Sequence, residues 1–82
     1  MMVKLVFLGK FRGEGRDDLA VPPNVMTLAD LKDWLAHRDP ALGEALAATR
    51  THVVLNQELV HDMALPIGDG DEVAFLPPMS GG

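Results

Sequence analysis

The hydrophobic pattern begins with a segment that is apolar on one face and nearly apolar on the other. Val3, Leu5 and Phe7 share one side, Val6 and Leu8 the other, with Lys4 as the polar exception. This spacing predicts a first strand with two apolar faces. Gly9 to Asp18 is rich in glycine and charge and reads as a loop. Its ten residues are long for a hairpin connection, so the loop is expected to be mobile. Leu19-Ala20-Val21 predicts a short second strand, stopped by Pro22-Pro23.

The period then changes. Leu28, Leu31 and Leu35 recur at helical spacing, with Trp34 beside them and Asp30, Lys32 and Asp33 elsewhere on the wheel. Thr27 is placed to cap this helix, and Asp30 stands where a capping-box acid stands. Met26 and Leu31 occupy the two positions of a hydrophobic staple. Asp39-Pro40 ends the helix and starts a short second one, with Leu42, Ala45 and Leu46 as its buried side. His52-Val53-Val54-Leu55-Asn56 predicts a β-branched strand, and Asn56-Gln57 a turn into Glu58-Leu59-Val60. Gly68-Asp69-Gly70-Asp71 is a tight turn before the last strand, Glu72-Val73-Ala74-Phe75-Leu76. Pro77-Pro78 stops that strand and forces a stiff, extended exit.

A helix between two strand pairs predicts an α+β domain with the helix packed across one sheet face. The order resembles that of the β-grasp, or ubiquitin-like, fold. That likeness implies a mixed sheet of four to five strands with one main helix across one face. It also implies that the first and last strands run parallel in the middle of the sheet. The expected organisation is a domain over residues 1–76 followed by a flexible tail over residues 77–82.

Composition narrows the chemistry. Eighty-two residues, 48% of them apolar, suffice for one core without disulfides or metal. There is no cysteine, hence no disulfide, no thiolate metal site and no cysteine nucleophile. No apolar run reaches the length of a membrane span, and the N-terminal segment lacks the pattern of a signal peptide, so a cytoplasmic protein is expected. A net charge of −5 speaks against a nucleic-acid partner. The charge is unevenly spread: Lys4, Lys10, Arg12 and Arg16 crowd the start, and no Lys or Arg follows Arg50. Glu58, Asp62, Asp69, Asp71 and Glu72 stand uncompensated in the last third, which predicts an acidic surface around the tail that favours a basic partner site.

A self-contained active site is not visible. No glycine-rich phosphate loop with its Lys and Ser/Thr occurs, so ATP binding by this chain alone is not expected. His37, His52 and His61 lack metal-ligand spacing, and no metal is expected. His61-Asp62 reads as a surface turn pair, Asp69 and Asp71 as turn residues rather than a calcium loop, and Trp34 as core.

What remains is the end of the chain, Pro77-Pro78-Met79-Ser80-Gly81-Gly82. Two terminal glycines carry no side chain and cost the most entropy to order, so they serve neither a core nor a helix. They offer a thin arm ending in a carboxylate that a narrow site of another protein can admit. An α-carboxylate is ionised at neutral pH and a poor electrophile. It becomes reactive when a partner converts it to an acyl-adenylate, from which sulfur can displace AMP. A side chain at either of the last two positions would widen the arm.

The run Asp69-Gly70-Asp71-Glu72-Val73-Ala74-Phe75-Leu76-Pro77-Pro78-Met79-Ser80-Gly81-Gly82 resembles the end of the small, sulfur-carrying subunits of molybdopterin synthase, the MoaD family. The likeness extends through Val54-Leu55-Asn56-Gln57 and Thr27-Leu28-Ala29-Asp30-Leu31, and so over essentially the whole chain. Thiazole-synthesis carriers share the Gly-Gly end but usually lack the Phe-x-Pro-Pro approach. Three departures stand out: Leu76 where a second Phe is common, Met79 where Val is common, and Gly9 to Glu14 in place of a more usual Ala-x-x-Arg-Glu pattern.

The resemblance implies that an ATP-dependent adenylating enzyme activates Gly82 and that a sulfur donor converts it to a thiocarboxylate. Residues Pro77, Pro78, Met79, Ser80 and Gly81 would then carry Gly82 into the large synthase subunit, where its sulfur passes to precursor Z (cyclic pyranopterin monophosphate). The catalytic side chains would belong to the large subunit, in a heterotetramer of two small and two large subunits, with no cofactor bound by this chain. Two other readings stay open: a sulfur carrier for thiazole, tRNA thiolation or tungsten cofactor, and a ubiquitin-like modifier joined to lysine through Gly82.

The strand pattern also predicts a partner surface. If Val3, Leu5, Phe7, Val53, Leu55, Val73 and Phe75 face the helix, then Val6, Leu8, Val54, Ala74 and Leu76 point outward. An outward apolar sheet face marks a binding site unless the chain's own loop, Gly9 to Asp18, covers it.

Overall fold

The computed structural model describes residues 1–13, 19–48 and 50–78. In chain order the elements are β1 (Lys4–Phe7), a single 3₁₀ turn (Gly9–Phe11), α1 (Leu28–Arg38), α2 (Pro40–Ala48), β2 (His52–Leu55), β3 (Glu58–Val60) and β4 (Glu72–Leu76). The strands form one mixed sheet in the order β1-β4-β2-β3. β1 runs parallel to β4, while β2 runs antiparallel to both β4 and β3.

Side-chain alternation then fixes which face is buried. Leu5, Phe7, Val53, Val73 and Phe75 turn to the helices and are each buried. The rings of Phe7 and Phe75, paired across the parallel strands, stack with centroids 5.4 Å apart. Leu28, Leu31 and Leu35 of α1, and Leu42 and Leu46 of α2, close the core from above. Fully burying such side chains contributes roughly 1.5–3 kcal/mol each, which is what holds three- to five-residue strands together.

Local signals set the helix boundaries. The Asp30 N–H donates to Thr27 Oγ1 at 3.1 Å, closing the predicted cap. The Asp30 carboxylate reaches back to the Met26 N–H at 3.1 Å. Asp39 caps α2 through the Leu42 N–H at 3.1 Å, with Pro40 in the first helical position. Where the helices cross, a Cβ on Gly43 would lie 2.6 Å from Ala36 Cβ and 2.7 Å from its Cα. Gly43→Ala is therefore expected to destabilise the fold. Overpacking costs about 1–3 kcal/mol and exceeds the helix-propensity gain of at most about 1 kcal/mol. Urea unfolding measures it, and a variant as stable as the parent would show that the two helices separate freely.

Several expectations are corrected. Leu19-Ala20-Val21 forms no strand, and the described sheet has four strands. Pro22 and Pro23 remove the donors that a second hairpin strand would need. Val21 and Val25 instead drop into the core together with Phe11. As a result β1 lies at an edge of the described sheet, and only β4 of the expected parallel pair is interior. The second helix, at nine residues, is nearly as long as the eleven-residue first, so two helices cover the face.

The staple does not form, because Met26 is 63% exposed while Leu31 is fully buried. Backbone bonds fix the helix entry instead: Ile67 N–H to the Met26 carbonyl at 2.9 Å and Leu28 N–H to the Leu65 carbonyl at 3.1 Å. Trp34 is half-buried against the core, with the Arg38 guanidinium 5.5 Å above its ring. The expected mobility of the long loop bears in part on residues 14–18, which lie outside the described residues.

Candidate functional site: the tail exit and the outer sheet face

The site begins where β4 ends. Leu76 pairs with His52 on one side, and on the other the Leu8 N–H donates to the Phe75 carbonyl at 3.1 Å. The chain then meets Gly9, whose φ of +59° turns it into the 3₁₀ segment. The Pro77 ring lies against that glycine: a Cβ there would stand 2.7 Å from Pro77 Cγ and 3.2 Å from Cδ. Pro77 and Pro78 are half-buried, the last described residues before the chain end. Met79, Ser80, Gly81 and Gly82 lie outside the described residues. Six residues beyond Leu76 span at most about 21 Å when extended.

The outer face of the sheet is ordered by register into rows. Val6, Ala74, Val54 and Leu59 stand side by side across all four strands. Leu76 follows toward the exit, with His52 beside it and Leu8 at the end of β1. Val6, Val54 and Leu76 are half-buried, Leu8 is 40% exposed and Leu59 52% exposed. Ala74 points outward yet is only 7% exposed, because Val6 and Val54 overhang its small side chain from both neighbouring strands. The structure thus brings the five predicted face residues together.

Leu59 is the residue that sequence reading missed. Its signal was available, since a two-residue Asn56-Gln57 turn sets position 59 opposite 54. Of the loop that could cover this face, residues 14–18 lie outside the described residues. Its 3₁₀ turn sends Phe11 to the helix side, where it is completely buried.

Three of the five residues of the predicted acidic surface lie away from the exit. Asp69, Asp71 and Glu72 precede or begin β4, about 13 Å of strand away from Leu76. There they serve the turn. Asp69 accepts from the Met2 N–H at 2.6 Å. Asp71 accepts from the Gly68 N–H at 2.8 Å and the Asn56 amide at 3.1 Å. Asn56 in turn accepts from the Glu72 N–H at 2.9 Å, tying the β2–β3 turn to the start of β4. His61 and Asp62 are exposed, and Asp62 accepts from the Ala64 N–H at 2.9 Å, as a turn residue does. Among the described residues no three His, Asp or Glu side chains group as metal ligands. No helix among them is long and apolar enough to cross a membrane.

Among the described residues the arrangement offers a sheet with an apolar outer face, and Pro77-Pro78 leaving the end of its interior strand β4. A model of the ThiS family matches residues 5–82. The chain belongs to the ThiS family. Two curated relatives, from Escherichia coli (strain K12) and Anopheles gambiae, carry the name molybdopterin synthase sulfur carrier subunit. The first is 34% identical over 82 residues, covering 99% of this chain and 100% of the relative. The second is 34% identical over 88 residues, covering 98% and 91%. A solved structure, the complex of subunits 1 and 2 of molybdopterin-converting factor from Helicobacter pylori 26695, contains a chain with a TM-score of 0.73 and 30% identity, over all of both chains. The β-grasp arrangement inferred from element order is therefore that of the family, and the resemblance to sulfur-carrying subunits holds along the full chain.

Proposed function

We propose that this chain is the sulfur-carrier subunit of a molybdopterin synthase and acts through the backbone carboxylate of Gly82. The observation that carries the reading is its match, nearly end to end, to two proteins bearing that name. An adenylating enzyme joins the Gly82 carboxylate to AMP and releases pyrophosphate from ATP. A sulfur donor then displaces AMP, leaving a thiocarboxylate on Gly82. The arm enters the large synthase subunit, the thiocarboxylate sulfur bonds to precursor Z, and water cleaves the resulting thioester, leaving the sulfur on the acceptor and regenerating the carboxylate. The large subunit seats on Val6, Leu8, Val54, Ala74 and Leu76, in a cytoplasmic heterotetramer of two small and two large subunits. The neighbour's two-subunit title supports a partner of this kind.

Intact mass tests the chemistry. Incubation with the adenylating enzyme, ATP and a sulfur donor is expected to raise the mass by about 16 Da, the replacement of one oxygen by sulfur. An unchanged mass would refute the carrier reading, and a ladder of conjugates through lysine would replace it with a protein modifier.

A further inference from the structure

We infer that Gly9 is a positioning residue for the arm, acting through Pro77, the first residue beyond the sheet. The inference rests on the carrier reading. Its basis is a contact at the point where the rigid domain hands over to the tail. β1 and β4 are locked to each other up to Phe7 and Phe75, and the Leu8 N–H bond to the Phe75 carbonyl is the last rung.

Immediately past that rung the two chains diverge. Gly9 turns away with φ +59°, closed by the Arg12 N–H to its carbonyl at 3.2 Å, and Pro77 leaves as the arm. The ring of Pro77 occupies the space a side chain at position 9 would need, within 2.7 Å of an ideal Cβ. Real Cβ contacts essentially never come so close, so any residue with a Cβ at position 9 must push the ring aside.

The proline ring has no long rotatable stem with which to yield, and its φ is fixed near −65°. A shift of the ring is therefore passed into the direction of the backbone that follows. A change of direction at Pro77 is passed to Pro78, the last described residue, and so biases where the chain beyond it starts. Misplacing a reacting group by about 1 Å can cost a factor near 100 in rate. The glycine at position 9 thus sets the direction in which the arm that carries Gly82 leaves the sheet.

A double-mutant cycle on thiocarboxylated carriers tests this, with sulfur transfer by the large subunit as the readout. Gly9→Ala and Pro77→Ala are each expected to lower kcat about tenfold with little change in KM, because aim changes while the docking face does not. The double variant is expected to be no slower than Pro77→Ala alone, since the two act through one contact. Thermal melting of the same samples separates strain at position 9, which lowers Tm, from the kcat effect. Pro77→Ala leaves position 9 unstrained and tests the contact even if Gly9→Ala folds poorly. Wild-type kcat in Pro77→Ala, or additive losses in the double variant, would overturn the inference. A thiocarboxylated wild-type protein that transfers no sulfur would instead overturn the carrier reading.

Discussion

Deleting Gly82, or replacing Gly81 by Phe, is expected to abolish sulfur transfer while leaving the fold intact. The two halves of that expectation have separate physical causes. Removing one residue withdraws the terminal carboxylate by about 3.5 Å, beyond reach of a site built for the full arm. The loss should exceed about 100-fold. A Phe at position 81 leaves the length unchanged and fails by width, since the aromatic side chain must pass wherever the arm passes. Stability is expected to have no stake in either change: among the described residues the core cluster ends at Phe75, and the last strand at Leu76. Melting temperatures should stay within about 3 °C of the parent, the range of substitutions that touch no packed group. Intact mass after treatment with the adenylating enzyme, ATP and sulfur donor checks the first half, and calorimetry the second. A large drop in Tm would mean that the tail is structural rather than a free arm.

The contrast between what the sequence disclosed and what it hid follows from the range of the interactions. Thr27, Asp39-Pro40 and Asn56-Gln57 act on residues two to four positions away, and each does in the structure what its local chemistry dictates. The parity of the strands was legible for the same reason, because inside and outside are fixed by alternation once one residue is placed. The fate of Leu19-Ala20-Val21 was not local. Its apolar pattern is satisfied equally by a strand or by a segment that plugs the core, and two prolines together with burial of Val21 and Val25 decide for the plug. The neighbours of β1 could not be read for the same reason.

The site shows the same division. The Gly-Gly end after Pro77-Pro78 stood out because it has few structural uses, and it lies outside the described residues. The setting of the exit was not legible. Acidic residues counted along residues 51–82 suggested a charged surround, but β4 carries the chain away from Asp69, Asp71 and Glu72 before the tail begins. Sequence proximity and spatial proximity diverge by the length of one strand. The contact between Pro77 and Gly9 was hidden more completely, because it joins positions 68 residues apart and depends on a glycine φ that no neighbouring residue announces.

The outer face leads to the second large effect. Ala74→Lys is expected to weaken association with the large subunit by more than about 100-fold, at a cost in stability of about 1–3 kcal/mol for overfilling a position that is only 7% exposed. Ala74 lies in the interior strand between Val6 and Val54, at the centre of the apolar rows. On the free domain a lysine there must part Val6 and Val54, but its stem is long enough to hold the ammonium in water. Under a partner that escape is closed. An ammonium buried without a counter-charge costs several kcal/mol, and about 2.7 kcal/mol already corresponds to 100-fold in affinity. Asp62→Asn is the control: it makes the same change of one unit in net charge in an exposed turn, and its amide oxygen can still accept from the Ala64 N–H. Titration calorimetry with the large subunit should show wild-type affinity for Asp62→Asn and none measurable for Ala74→Lys. Equal affinity in the two variants would mean that the partner seats elsewhere. In that case the small exposure of Ala74 would reflect only the packing of Val6 and Val54 against each other across β4, and the arm would be the whole of the interface.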